Sequence, residues 1–196
     1  MDRLIIFIKN PVKGKVKTRL AATIGEEKAL DIYKILLDHT RKICLDFPGK
    51  RLLYYSDQIN ENDSWQSTDF EKHIQQGDDL GQRMYQAFDE SFKSEQGKIC
   101  IIGSDCFELN VHHLKQAFEK LDKADLVFGP SKDGGYYLLG MKESHEALFK
   151  DISWSTSEVL KQSLNAAEKL GLETVLLPTL SDVDTESDLQ TMGITL

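Results

Sequence analysis

Residues 98–105 read "KICIIGSD", which is the clearest strand pattern in the chain. The run from Ile99 to Ile102 is apolar on both faces, which is typical of a strand buried inside a parallel sheet. It ends abruptly in small and acidic residues, so the chain leaves the core at that point. A second run, "LIIFI" at residues 4–8, has the same apolar character. Two such strands predict a sheet that is covered on both faces.

The rest of the chain alternates between helical and strand patterns. Helices are predicted at residues 26–45, 77–92 and 111–121, and further strands at 51–56, 125–130, 136–141 and 174–180. The polar segment 57–69 is predicted to be a surface loop, and Ser155-x-x-Glu158 matches a capping box that opens a helix to about residue 170. Alternating strands and helices favour a single α/β domain, residues 1–196, with a largely parallel sheet.

Composition excludes several classes of protein. The chain has 196 residues, 40% hydrophobic residues and a net charge of -8, which is a globular profile and argues against binding to nucleic acid or to a membrane surface. The run at residues 4–8 is too short to span a membrane. The odd number of cysteines (Cys44, Cys100, Cys106) fits reduced thiols in a cytoplasmic protein. The sequence carries no signal of an oligomeric state.

Five cations and no acid lie between Lys9 and Arg19, in "KNPVKGKVKTRL", directly after the first strand. The segment matches neither the P-loop pattern nor G-x-G-x-x-G. It can still bind phosphate through its side chains, and through backbone N–H groups if a helix begins near Lys17. The alternative is a solvated run of charge. The position after a buried strand favours phosphate binding, for which Lys9, Gly14, Lys17 and Arg19 are the candidates.

Acidic residues follow other predicted strands, where open α/β sheets bind their ligands. Asp105 lies in "GSDC" beside Ser104, which is a further candidate for nucleotide binding. Asp133 lies in "KDGG", and "LSDVD" contributes Asp182 and Asp184. Carboxylates opposite a cationic loop are the groups that bind a nucleotide with a divalent ion. Three of these acids have a simpler interpretation: Asp105 as a turn or cap residue, Asp184 as a helix cap, and Asp133 as part of a hairpin turn.

The stretch "GDDLGQRM" at residues 77–84 places two glycines around two acids. Such a loop can press against a ligand, which makes Gly77, Asp79 and Gly81 candidates for nucleotide binding. It can equally be a simple helix start. Cys106 has no evident histidine partner, so we interpret it as a small residue at a strand end and not as a nucleophile.

Taken in order, five stretches resemble a family of bacterial glycosyltransferase-like proteins in the GT-A nucleotide-diphospho-sugar transferase superfamily. They are "FIKNPVKGKVKTRL", "GDDLGQRM", "GSDCFEL", "GPSKDGGYYLLG" and "LSDVDTESDL", and they extend from residue 7 to residue 189. More distantly, the chain is similar to 2-phospho-L-lactate guanylyltransferase and to the molybdenum-cofactor guanylyltransferase. One departure is Phe107, which stands where the family usually has proline.

The resemblance implies a three-layer α/β/α fold with the nucleotide over the C-terminal edge of the sheet. It implies that Asp105 holds Mg²⁺ or Mn²⁺ beneath the phosphates and that Asp184 is a second metal ligand. Lys17 and Arg19 match the basic residues of the phosphate loop. The segment "DGGYYLLG" matches the acceptor side.

From these residues we expect a metal-dependent transferase that uses a nucleotide-activated donor. Glycosyl transfer from a nucleotide sugar to a small-molecule acceptor is the first expectation, with Asp133, Lys17 and Arg19 as catalytic residues. Transfer of a nucleotidyl group to a small phosphorylated acceptor, with release of pyrophosphate, is the alternative. A nucleotide-binding module without catalysis is the third possibility.

Overall fold

The computed structural model describes residues 1–194 and contains one seven-stranded sheet, six α-helices and one short 3₁₀ helix. The strands are β1 Arg3–Ile8, β2 Lys50–Tyr55, β3 Glu71–Ile74, β4 Ile99–Ile102, β5 Leu126–Pro130, β6 Tyr136–Met141 and β7 Thr174–Leu176. The helices are α1 Thr18–Ile24, α2 Glu26–Leu45, α3 Leu80–Ser94, α4 Val111–Lys120, α5 Val159–Lys169 and α6 Glu186–Thr191, with the 3₁₀ helix at Glu146–Phe149.

The strand order is β3-β2-β1-β4-β6-β5-β7. All neighbouring strands run parallel except at β6, which is antiparallel to both β4 and β5. The exception has a simple cause: a turn of five residues, 131–135, joins β5 to β6, and so short a connection permits only a hairpin. The predicted α/β fold with a mainly parallel sheet is confirmed.

Two apolar layers cover the sheet, and alternate residues of each central strand enter different layers. Leu4 and Ile6 pack in the layer that includes α2 and α4, whereas Ile5 and Phe7 pack in the layer that includes α3 and α5. All six residues of β1 are buried. Burial on both faces explains why residues 4–8 are apolar without alternation. The three-layer α/β/α arrangement expected from the family resemblance is confirmed.

Two local predictions differ from the structure. The capping box at Ser155 and Glu158 is wrong: α5 begins at Val159, Glu158 makes no capping hydrogen bond, and Ser155 has a left-handed backbone with φ of 64°. The strand β3 was not predicted from the sequence. Three of its four residues are polar and all four are at least partly exposed, because it is an edge strand of the sheet.

The predicted loop at residues 57–69 has little regular structure, as expected, but it is anchored. Lys72 donates hydrogen bonds to the carbonyl of Asn60 (2.6 Å) and to Asp63 (3.0 Å), and Tyr55 donates to the other oxygen of Asp63 (2.6 Å). Trp65 fills the core beneath the loop.

In the part of the chain that the structure describes, no helix is both long and apolar enough to cross a bilayer. The three cysteines are unpaired and buried.

The parallel strands bring their C-terminal ends to one edge of the sheet. The loop after β1, the loop after β4 and the hairpin turn after β5 therefore lie side by side. The segment after β7 joins them, because Leu180 accepts from the backbone of Lys132 and Val183 donates to Asp105. Three loops and one extended segment thus meet at the edge where the sequence placed its acids and cations.

The hairpin turn depends on Gly134, whose φ is 91°. A Cβ at this position would clash with the carbonyl oxygen of Ser157, while the carbonyl of Gly134 accepts a hydrogen bond from Leu160 (2.9 Å). Gly171 is a matched control, since its φ is also positive, 68°, but a Cβ there would meet no atom within 4 Å.

We predict that Gly171→Ala lowers the free energy of unfolding by roughly 1–2 kcal/mol, the cost of a left-handed alanine. Gly134→Ala should cost about 1–3 kcal/mol more, because the backbone of residues 155–158 must also move. Denaturant unfolding of both variants measures the difference. Equal losses would show that the contact between the two loops is unimportant.

Candidate functional site

A cavity of about 510 Å³ opens at the C-terminal edge of the sheet. Seven charged residues line it, and all of them were singled out in the sequence: Lys9, Lys17, Arg19, Asp105, Asp133, Asp182 and Asp184. They come from positions that are far apart in the chain, and the fold brings them together. The predicted convergence of the N-terminal cations with the strand-end acids is confirmed.

Lys17 lies at the centre of this group. Its ammonium is 2.9 Å from Asp105 and 3.3 Å from Asp184, and it donates a hydrogen bond to the carbonyl of Val183 (2.7 Å). The side chain is only 3% exposed. Lys17 also has a left-handed backbone, with φ of 47°, and α1 begins directly after it. Lys17, which was predicted to bind phosphate, is thus paired with two carboxylates of its own chain.

Arg19 and Lys9 are more open than Lys17. The Arg19 side chain is 73% exposed, and its guanidinium lies 3.5 Å from Asp184. Lys9 is exposed at the mouth of the cavity, and its backbone is held by Tyr33, whose hydroxyl accepts from Lys9 N (2.8 Å) and donates to Lys9 O (3.1 Å). Both cations are exposed and therefore accessible to a negatively charged ligand.

The simpler interpretation of Asp105 and Asp184 was helix capping, but other residues cap the helices that follow them. Asn110 caps α4, and Thr185 caps α6 in a capping box with Asp188. The carboxylates of Asp105 and Asp184 therefore remain available to Lys17 and to solvent.

Tyr33 on α2 lines the cavity, which was not predicted from the sequence. Besides Lys9, its hydroxyl contacts the Ser104 hydroxyl at 3.2 Å, so it joins the loop after β1 to the loop after β4. Burial, with the nearby Asp105 carboxylate, raises the pKa of Tyr33. Its apolar neighbours in the helix gave no sign of this role.

Asp133 both stabilises the hairpin turn and lines the cavity, the two placements considered for it from the sequence. One oxygen, Oδ1, accepts hydrogen bonds from the Ser131 hydroxyl and from Gly135 N (2.9 Å), which stabilises the hairpin turn. Within the described residues the other oxygen, Oδ2, has no hydrogen-bond donor. The residue is exposed and lines the cavity, so Oδ2 is free to accept a proton or a hydrogen bond.

Asp182 has the most perturbed carboxyl of the group. Burial, with the nearby charges of Asp105 and Asp133, raises its pKa to about 7. The sequence placed Asp182 at the site but carried no sign that it is half-buried there.

Five predicted nucleotide-binding residues lie outside the cavity wall, and their role in binding stays a prediction. Asp79 caps α3 by accepting from Gln82 N (2.8 Å), as the simpler interpretation of its segment expects. Gly77 packs against Gln82, and Gly81 lies against Trp154. Gly14 lies near Glu26, and Ser104 is buried beneath the loop after β4.

The residues present fit a divalent ion that is shared with a phosphate ligand. In residues 1–194, no cluster of three or more Asp, Glu, His or Cys side chains is arranged to hold a metal by itself. Asp105 and Asp184 supply two carboxylates, and Mg²⁺ is commonly held by one or two carboxylates together with water and substrate phosphates. An ion here must share these oxygens with the Lys17 ammonium or displace it.

Cys106 is not a nucleophile at the working pH of most enzymes. Burial raises the pKa of its thiol to about 12, so the reactive thiolate is scarce. The interpretation from sequence, a small residue at the end of the strand, agrees with this.

The architecture and the charged edge define the class of protein: the fold is that of the nucleotide-diphospho-sugar transferases. A Desulfovibrio desulfuricans G20 protein whose structure is named "putative nucleotide-diphospho-sugar transferase" is 28% identical and superposes with a TM-score of 0.89, over 97% of this chain and 85% of that one. The inositol-1-phosphate CTP transferase from T. maritima (16%, TM-score 0.62, 98% and 93% covered) shares the fold. A 4-diphosphocytidyl-2C-methyl-D-erythritol synthase also shares the fold: it is 11% identical and superposes with a TM-score of 0.63 over 97% of this chain and 95% of that one.

The chain belongs to the family described as "Uncharacterized protein conserved in bacteria (DUF2064)", whose profile matches residues 40–156. No curated protein matches the chain significantly.

The contacts of Lys17 lead to a first prediction for this site. Lys17→Met leaves two neighbouring carboxylates without their cation and should lower the free energy of unfolding by about 1–3 kcal/mol. This is less than the cost of breaking a fully buried ion pair, because both carboxylates are partly exposed to solvent. Arg19→Met, at an exposed position of the same cluster, should change it by less than about 0.5 kcal/mol. Thermal unfolding compares the two. Equal midpoints would mean that Lys17 does not hold the edge together.

Asp182 gives a second prediction, for metal-free protein in EDTA. The folded state holds its proton more tightly than the unfolded chain does, so ionising Asp182 costs stability as pH rises between the two pKa values. Asp182→Asn should therefore stabilise the protein, and the gain should be larger by about 1 kcal/mol or more near about pH 8 than near about pH 5. Unfolding at both pH values tests this, and a gain independent of pH would contradict it.

Proposed function

We propose that the protein is a metal-dependent transferase that moves a sugar from a nucleotide sugar to a small-molecule acceptor. The observation that carries the proposal is the contact of Lys17 with Asp105 and Asp184, beside the exposed cations Lys9 and Arg19. The fold supports the proposal, since the similar structure from Desulfovibrio desulfuricans carries a nucleotide-diphospho-sugar transferase name.

Charge makes a divalent ion part of the proposal. Four acids line the cavity against three cations, so the phosphates of a nucleotide would meet net negative charge. A cation placed between carboxylate and phosphate turns repulsion into a bridge. Asp105 and Asp184 would hold Mg²⁺ or Mn²⁺, which would supply charge neutralisation for the leaving nucleoside diphosphate.

The residues of the chain then divide the work. Arg19 and Lys9 bind phosphate oxygens from the open side of the cavity, since both are exposed there. Lys17 holds Asp105 and Asp184 in position and contributes positive charge close to the phosphates. Its side chain is too buried to recruit the ligand, so we assign it to positioning and to stabilising charge that develops on the leaving group.

Asp133 is the candidate to act on the acceptor. With Oδ1 fixed by Ser131 and Gly135, the carboxylate has one defined orientation, and Oδ2 is left as a hydrogen-bond acceptor at the cavity. A fixed carboxylate of this kind can orient an acceptor hydroxyl and take its proton as the new bond forms.

Nucleotidyl transfer is the second candidate, because the fold is shared with proteins named as a CTP transferase and a diphosphocytidyl synthase over nearly the whole chain. The two reactions release different products. Nucleotide sugars with Mn²⁺ should yield nucleoside diphosphate, whereas nucleoside triphosphates with phosphorylated acceptors should yield pyrophosphate. Nucleotide binding without either product would indicate a non-catalytic module and overturn the assignment as an enzyme.

The proposed metal ligand gives a direct prediction. Asp105→Asn keeps the size of the side chain but removes its charge, so it should weaken Mn²⁺ binding in the presence of nucleotide by at least about tenfold. Asp122→Asn is the matched control, because Asp122 is an exposed acid that pairs with Lys98 outside the cavity. Electron paramagnetic resonance of free Mn²⁺ measures the affinity. Unchanged Mn²⁺ affinity in Asp105→Asn would sink the assignment.

A further inference from the structure

The cavity extends over both faces of the sheet, and its two walls differ in chemistry. Val16 and Tyr33, beside the cations, belong to the apolar layer of α2, whereas Met84, Tyr136 and Trp154 belong to the layer of α3 and α5. In the described part of the chain, every lysine or arginine that lines the cavity comes from residues 9–19. The second wall therefore meets the ligand without a cation.

This second wall, which we call the hydroxyl wall, consists of Tyr136, Trp154, Ser155, Thr156 and Ser157. It contains an indole, three aliphatic hydroxyls and the ring of Tyr136, whose own hydroxyl donates to Met84 Sδ (3.9 Å). The three hydroxyl residues Ser155, Thr156 and Ser157 are exposed, and Trp154 is half-buried. Asp133, in the adjoining β5–β6 turn, also lines the cavity.

The loop that carries the hydroxyl wall is fixed on several sides. The Thr156 hydroxyl donates to the carbonyl of Ser153 (2.7 Å), and Gln162 bonds both the backbone N–H (2.7 Å) and the hydroxyl (3.2 Å) of Ser153. The indole of Trp154 packs on Gly81, at a point where any side chain would clash with it. These hydrogen bonds and the packing of Trp154 leave the loop little freedom to rearrange.

The hydroxyls of Ser155 and Ser157 have no structural task. Within residues 1–194 neither makes a hydrogen bond, although the Thr156 hydroxyl between them does. Ser155 also keeps a left-handed backbone that is costly for a residue with a Cβ. A fixed loop that presents unpaired hydroxyls and an indole to a cavity has the composition of a carbohydrate subsite.

We infer that the hydroxyl wall binds a neutral, polyhydroxylated group, either the sugar of the donor or an uncharged sugar-like acceptor. The inference rests on the proposed function and narrows it. Serine hydroxyls donate to and accept from sugar hydroxyls, and the apolar face of a sugar packs on an indole. A phosphorylated or carboxylated group would find no cation there and would be repelled by Asp133, so the wall selects against anionic acceptors.

The test uses a double variant, Ser155→Gly with Ser157→Ala. Glycine tolerates the left-handed backbone at residue 155, so the variant removes two hydroxyls without new strain. Ser67→Ala is the matched control, because Ser67 is exposed in the loop before β3 and outside the cavity. Calorimetric titration with Mn²⁺ compares UDP, GDP, ADP and CDP with their glucose or mannose conjugates.

We expect at least one sugar conjugate to bind the parent more tightly than its own diphosphate. The double variant should lose about five- to thirty-fold of the affinity for the conjugate, the effect of two hydrogen bonds, and keep its affinity for the diphosphate. The Ser67 control should behave as the parent. If every conjugate binds as its diphosphate does, the wall does not hold the donor sugar.

A second arm distinguishes donor from acceptor. With diphosphate and Mn²⁺ saturating, free glucose and glucose 1-phosphate are titrated while tryptophan emission is followed. The chain has two tryptophans, and Trp65 is buried in the core, so a change that is absent in Trp154→Phe reports on the hydroxyl wall. A response to glucose supports an acceptor subsite.

The inference is overturned if glucose 1-phosphate binds more tightly than glucose, or if neither arm responds in the parent. Failure of all diphosphates to bind is a different outcome: it contradicts the proposed function, and the inference falls with it.

Discussion

The functional edge depends on one buried ammonium group that two carboxylates share. Lys17 comes from the loop after β1, Asp105 from the loop after β4 and Asp184 from the segment before α6, so the two ion pairs connect three parts of the chain. The carbonyl of Val183 completes the coordination of the ammonium. Without this cation, three or four acids would crowd one edge of the sheet. The same ammonium group thus joins three parts of the chain and lies at the cavity where we propose that an anionic ligand binds.

The sheet makes this arrangement possible. Parallel β1 and β4 end at the same edge, and the antiparallel β6 lets the β5–β6 turn carry Asp133 to that edge as well. The two layers of helices then give the cavity two unlike walls, one with cations and one with hydroxyls. This division agrees with a donor that has charged phosphates at one end and a neutral sugar at the other.

Much of this was predictable from the sequence, and particular residues show where prediction stopped. The apolar runs of β1 and β4 revealed their burial, and the acids that follow strands marked the edge. No local pattern could show that Lys17 turns inwards to Asp184, because the contact spans 167 residues of the chain. Of the five cations, Lys13 pairs with Glu27 away from the cavity. A count of charges in the sequence does not show which of the five face the cavity. The capping-box pattern at Ser155 was misleading, since that loop is shaped by contacts with Gly134 and Gly81.

The central claim is that nucleotide phosphates bind at this edge through a divalent ion and the cations around Lys17. The most direct test is the affinity of the unmodified protein for nucleoside diphosphates, measured by calorimetry with Mn²⁺ and again with EDTA. We expect at least one diphosphate to bind with Mn²⁺ and to lose most of its affinity in EDTA, because the carboxylates of Asp105 and Asp184 then face the phosphates without an intervening ion. Equal affinity under both conditions would contradict the account.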